Sequence, residues 1–234
     1  MHHQFGAEDF IWEIAVKISH SLVRPEVLSL DWLLALPLSI GAYLLGSIPS
    51  AYILVYMVRG VDIRQVGTRN VGAMNAFDQV GPWGGLLVLL ADGGKGVLAA
   101  LLPGWVGAPD WVVFLTATLA VAGHNWPVFL NFRGGKGAAV ILGISLAVLP
   151  VLTMIAVGPT VLVILLTRNV IIGAGLGFIL LNTLIVVTNQ CAEMIALCLF
   201  LTFVATVTYV VSIWTQIITA IKTHHWRRLF YGPG

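Results

Sequence analysis

The chain has 234 residues, 59% hydrophobic and 9% charged, with a formal net charge of +2 and a mean hydropathy of +0.96. Soluble domains carry about 25% charged residues, so this composition excludes an ordinary water-soluble domain and describes an integral membrane protein. So small a net charge also gives no reason to expect a nucleic-acid partner.

Residues 1–30 read as a separate N-terminal extension. Ile11, Ile14, Ala15, Ile18 and Leu22 repeat at helical spacing, opposite Glu13, Lys17, His20 and Arg24, and Pro25 closes the pattern. Such a helix lies in the membrane interface rather than across it. Its apolar core is too short for a signal peptide, and no cleavage site is clear.

Residues 31–234 form the membrane-spanning unit, with apolar runs over 32–58, 83–102, 111–130, 138–166, 170–188 and 192–221. A bilayer core takes about 20 helical residues. Unpaired backbone cannot face lipid, so the fold class is all-α and polytopic. The 138–166 run contains Pro150, Gly158 and Pro159. It reads as a short helix to about 149, a turn at Pro150 and a return helix to 167. Seven transmembrane helices result, the short one leaning on its neighbours.

Started from outside, seven spans gather Arg59, Arg64, Arg69, Arg133, Lys136, Arg168, Lys222, Arg227 and Arg228 on one face. The connections near 103–110, 150 and 189–192 contain no Lys or Arg. The basic face is therefore expected to be cytoplasmic, with the C-terminus inside a multi-pass protein of the cell membrane. Cys191 and Cys198 share one apolar segment and make no disulfide framework. The six histidines lack zinc-ligand spacing, so no metal site is expected.

Two glycine-wrapped lysines stand out: Asp92-Gly93-Gly94-Lys95-Gly96 and Arg133-Gly134-Gly135-Lys136-Gly137. Glycine lets backbone N–H groups crowd round an anion, and lysine adds a full charge. The second copy opens an apolar helix, where free N–H groups and the helix dipole favour an anion. It is not a Walker A loop, because the preceding glycine spacing and the following Ser/Thr are missing. Two plainer readings stand beside this one. Asp92 and Lys95 are three apart and can neutralise each other on a helix, and His124 beside Asn125 can serve only to orient its loop. Three polar segments nevertheless share the basic face: 62–75, 123–137 and the tail 222–228. Together they favour a phosphate-handling site over a set of topology signals.

Gly46-Ser47-Ile48-Pro49, Asp62-Ile63-Arg64, the loop 67–75, Asp92 to Gly96 and the segment 123–137 occur in one order at family-like spacing. Over roughly residues 32–232 the chain resembles the bacterial acyl-phosphate:glycerol-3-phosphate acyltransferases of the PlsY type. The resemblance implies seven membrane helices, a cytoplasmic active site and no cofactor. The implied substrates are acyl phosphate and glycerol 3-phosphate, with membrane lipid around them. A fatty acyl group would pass to the 1-hydroxyl of glycerol 3-phosphate, giving lysophosphatidate for phospholipid synthesis.

Phosphate binding carries over to Gly134, Gly135, Lys136 and Gly137, the family's intramembrane lysine to Lys95 and its first-loop arginine to Arg64. Thr68, Lys95 and His225 are the candidate catalytic residues. Arg69, Asn70, Asn75, His124, Asn125 and Arg133 join Arg64 and the 134–137 segment as substrate-binding candidates.

The chain also departs from the family pattern. Gly67-Thr68-Arg69-Asn70-Val71-Gly72 replaces Gly-Ser-Gly-Asn-Pro-Gly, and Asp78 stands where an arginine is usual. Arg69 is a candidate to restore that lost positive charge. In the tail, Lys222 and His225 fall at the family's histidine and asparagine positions. Two alternatives follow: a paralogue acylating another polyol phosphate, and a non-catalytic protein that binds lipid phosphate.

Overall fold

The computed structural model describes residues 25–223, and every regular element among them is helical. The interfacial helix expected before Pro25 lies outside the described residues, as does the tail from His224 on, including His225.

The first apolar run is two helices, α1 (Pro25–Ser47) and α2 (Ser50–Arg59). Pro49 separates them because it has no N–H with which to continue the helical ladder. At the break the Ile48 N–H donates to Leu45 O at 3.3 Å, and Ser50 N–H to Ile48 O at 3.1 Å. A polar loop follows, with a 3-10 turn at Ile63–Gln65 capped by the Asp62 side chain. The loop expected through residue 75 stops earlier, because α3 (Ala73–Val80) starts after extended Gly72. Asn75 is therefore helical.

The remaining helices are α4 (Pro82–Trp105), α5 (Trp111–Asn125), α6 (Ala138–Val148), α7 (Pro150–Thr167), α8 (Val170–Val187) and α9 (Ala192–Thr223). The turn expected at Pro150 is present, and Pro150 opens α7, where a missing N–H costs nothing. Six stretches among the described residues are long and apolar enough to cross a bilayer, and Ala138–Val148 is a shorter apolar helix. With 11 residues, α6 rises about 17 Å, roughly half of a bilayer core.

The short helix is held by close packing on α4. A Cβ at Gly96 would overlap the Val140 carbonyl, and one at Gly143 would overlap the Gly93 carbonyl. Small residues at such crossings let two backbones meet inside a membrane. This corrects the reading of the first glycine–lysine cluster. Gly93 and Gly96 lie in a continuous helix, where Gly96 serves the packing, so they build no anion cradle. The same device joins α1 to α5, where Gly46 abuts Ala120 O and Gly123 abuts Tyr43 O.

Gly143→Val is therefore expected to lower the melting temperature in detergent, by about 1–3 kcal/mol of lost stability. Gly94→Ala is the control, because nothing lies within 4 Å of its added methyl, and it should melt no lower than the parent.

Two buried clusters position the site. Ala99, Ala117, Ala120, Val121, Val140, Ile144 and Leu201 tie α4, α5, α6 and α9 together. Ala51, Val55, Ile63, Val71, Ala76, Val88 and Leu130 pin the 60–72 loop against α2, α3 and α4.

Candidate active site

Asp92 and Lys95 stand one turn apart on α4 and are almost wholly buried. An unpaired ion there is costly, so the pair closes on itself: Lys95 Nζ is 2.6 Å from Asp92 Oδ1. Lys95 also donates to the Ile48 carbonyl at 2.5 Å, bridging the break between α1 and α2. Lys95, expected to be catalytic, thus spends two hydrogen bonds on the wall of a recess. His124 Nδ1 stands 3.8 Å from the same carboxylate oxygen, too far for a hydrogen bond. Ser47, Ile48, Asp92, His124, Pro127 and Gly134 line this small recess. The buried Ser47 Oγ has no partner among the described residues.

The 62–75 loop is organised from inside. Asn75 is fully buried, and its Nδ2 donates to the carbonyls of Ile63, Val66 and Asn70 at 3.1, 3.1 and 3.0 Å. Its Oδ1 accepts from Thr68 N–H at 3.3 Å. Of the two parts expected for Asn75, orienting substrate or supporting the loop, its amide takes the second. Asn75→Ala removes all four bonds; Ile63 O and Val66 O still accept from the Val66 and Arg69 N–H groups, so the cost falls on Asn70 O and Thr68 N–H, at about 1–3 kcal/mol per orphaned group. The expected result is a lower melting temperature and faster proteolysis within 60–72.

Arg64 is likewise engaged. Its guanidinium grips Asp62, with Nη2 at 2.7 Å from Oδ2, donates to Leu130 O at 3.1 Å and lies over the Tyr52 ring. This partner holds the Asp62 carboxyl below its usual range. The charge expected to bind substrate is therefore largely spent on tying the 62–75 loop to Leu130. Thr68 and Arg69 are exposed at the loop tip, and Arg69 takes a left-handed backbone, φ 60°. Asp78, exposed on α3, forms no ion pair with it.

In the second glycine–lysine segment, Gly134 N–H donates to Asn125 O at 3.2 Å and Gly135 N–H to His124 O at 3.0 Å. These amides, expected on the anion, instead satisfy carbonyls at the end of α5, which would otherwise be orphaned. Glycine is required because a Cβ at 134 would strike His124 O, and one at 135 would strike the His124 ring and Val71 O. The glycines thus let loop 62–72, the end of α5 and this segment converge. Gly137 caps α6 with φ 79°. Beyond it, the amides of the first helical turn have no intrahelical acceptor and point toward any anion present.

Lys136 is the partly buried cation of this segment. No carboxylate pairs with it among the described residues, and its Nζ sits 4.4 Å from the centre of the Tyr209 ring on α9. Burial pushes its pKa down. Asn125 Nδ2 donates to Thr208 Oγ1 at 3.2 Å, while its buried Oδ1 has no partner among the described residues. Arg133 is exposed just before the glycines. Asn70 contributes its carbonyl to Asn75. Thr208 and Tyr209 had not been singled out from sequence. The available signal was the polar crowding of Thr206, Thr208 and Tyr209 within an apolar run.

A family model described as glycerol-3-phosphate acyltransferase matches residues 36–223. The chain is 41% identical over 140 residues to glycerol-3-phosphate acyltransferase 2 of Dehalococcoides mccartyi, covering 60% of this chain and 67% of that protein. It is 40% identical over 145 residues to the glycerol-3-phosphate acyltransferase of Clostridioides difficile, covering 60% and 71%.

The solved structure of PlsY (YgiH), an integral membrane glycerol 3-phosphate acyltransferase, is similar in its glycerol 3-phosphate form. The TM-score is 0.70 at 30% identity, over 81% of this chain and 92% of that one. Its lysophosphatidic acid form gives 0.68 at 29% identity. With the match running from α1 to the end of α9 and the same membrane fold, this chain belongs to the glycerol-3-phosphate acyltransferase family.

Proposed function

We propose that the protein transfers a fatty acyl group from acyl phosphate to the 1-hydroxyl of glycerol 3-phosphate. The glycerol oxygen attacks the acyl carbonyl, the bond to the phosphate oxygen breaks, and lysophosphatidate and inorganic phosphate leave. The hydroxyl proton passes to a phosphate oxygen. Acyl phosphate is a mixed anhydride with a good leaving group, so alignment of the hydroxyl serves in place of an enzyme nucleophile.

The observation that carries this reading is Lys136, a cation without a carboxylate partner among the described residues, set just ahead of the α6 N-terminus. Together they offer an ammonium and unpaired amides to a phosphate. Arg133 and Arg69 add exposed positive charge at the rim. The unpaired Asn125 Oδ1 is an acceptor suited to a glycerol hydroxyl. The acyl chain lies between helices, continuous with the bilayer, and the site faces the cytoplasm.

Arg69 and Asp78 motivate a second reading, a paralogue for another polyol phosphate. A panel of acceptors given to the reconstituted protein decides between them. Glycerol 3-phosphate should have the highest kcat/KM; a clear preference for a different polyol phosphate would move the assignment to the paralogue.

A further inference from the structure

We propose that Tyr209 is a positioning residue for the acceptor's phosphate, its ring face holding Lys136 in place without neutralising it. This rests on the reading that Lys136 binds that phosphate.

The two intramembrane or loop cations with full partners, Lys95 and Arg64, are each clamped by a carboxylate on their own element, Asp92 and Asp62. Lys136 has the opposite arrangement. It is partly buried, no carboxylate pairs with it among the described residues, and an aromatic face 4.4 Å away is its contact. A carboxylate would cancel the charge a phosphate needs and would repel the phosphate itself. A ring attracts the ammonium through its quadrupole and carries no charge, so the cation stays available.

The ring is not left to chance along α9. Asn125, on the helix that precedes the loop, donates to the neighbouring Thr208, which in turn donates to Val204 O at 2.8 Å. The α5–α9 tether therefore sets the register that brings Tyr209 over Lys136. Among the described residues, the other ionisable groups of the site are the Tyr209 phenol on α9, His124 on α5, the Asp92–Lys95 pair on α4, Arg133 on the same loop, and Asp62, Arg64 and Arg69 on the 60–72 loop. None makes an ion pair with Lys136 among the described residues.

Two opposing forces act on the Lys136 ammonium. Burial favours its neutral form, and the ring favours the charged form. Removing the ring leaves burial unopposed, so Lys136 should lose its proton at lower pH. Tyr209→Leu is therefore expected to raise KM for glycerol 3-phosphate roughly two- to thirtyfold, the range that a lost cation–π contact spans, with a much smaller change in kcat. Tyr209→Phe, which keeps the ring, should recover most of that loss.

The decisive readout is the pH dependence of Lys136 modification by a water-soluble amine reagent on the full chain in nanodiscs, followed on its own peptide by mass spectrometry. The midpoint should fall in Tyr209→Leu and return in Tyr209→Phe. A purely structural role would lower stability without moving it. Should the leucine variant not fold, phenylalanines bearing one, two and three ring fluorines at 209 keep the shape and drain the ring face. The midpoint should then fall stepwise, and a flat series overturns the proposal, as does an unmoved midpoint in Tyr209→Leu. If the parent protein binds no glycerol 3-phosphate, the proposed activity fails while the reactivity midpoint still decides the part played by Tyr209.

Discussion

Lys136→Met is expected to raise KM for glycerol 3-phosphate about ten- to a hundredfold. Hydrogen bonds to charged groups are worth about 1.5–3 kcal/mol, and Lys136 is the one partly buried cation of the site without a carboxylate partner among the described residues. The same change at Arg64 should disturb its loop more than its substrate, because its guanidinium already holds Asp62 and Leu130 O.

Affinity should also depend on pH. The phosphate-binding form of Lys136 is the protonated one, present below its pKa and lost as pH rises through it. Burial lowers that pKa, so affinity should decline at a lower pH than for a free lysine, whose pKa is about 10.4. An alkaline limb at the free-lysine position, or a KM indifferent to the substitution, counts against this role for Lys136.

Asp92→Ala should be among the most damaging single changes to the fold. It strips the partner from an ammonium whose side chain is 6% exposed, and breaking a buried pair from one side costs about 3–5 kcal/mol. Lys95 also caps the chain break at Ile48, so a wandering ammonium would loosen the α1–α2 junction too. Removing both charges with Asp92→Asn and Lys95→Met is expected to recover much of the loss, because no uncompensated charge remains. Thermal melting of Asp92→Ala, of Asp92→Asn and Lys95→Met singly, and of the double variant in detergent checks this. Strictly additive losses would show that the two charges do not stabilise each other.

Much of the architecture was legible because lipid imposes a length and a composition. Apolar runs of bilayer length become helices, and Pro150 opens a new one, whereas Pro159 in the same run stays inside α7. Where glycine decided the outcome, sequence was ambiguous for a physical reason. The residue that lets an amide approach a phosphate is also the residue that lets two backbones touch. Gly96, Gly134 and Gly135 take the second role. Asp92 and Lys95, three apart, fitted either a structural pair or a site, and only the carbonyl of Ile48 at 2.5 Å from the ammonium shows what else Lys95 holds. Tyr209 lay in an apolar helix 73 positions after Lys136, in no local motif, and its approach depends on how α9 crosses the bundle.

The most direct test supplies the purified protein, reconstituted in liposomes, with glycerol 3-phosphate and either a long-chain acyl phosphate or the matching acyl-CoA. Lysophosphatidate and inorganic phosphate should appear in equal amounts with acyl phosphate, at a rate that collapses in Lys136→Met at low glycerol 3-phosphate. Product from acyl-CoA alone would contradict the donor. Bound glycerol 3-phosphate with no lysophosphatidate from either donor would contradict catalysis itself.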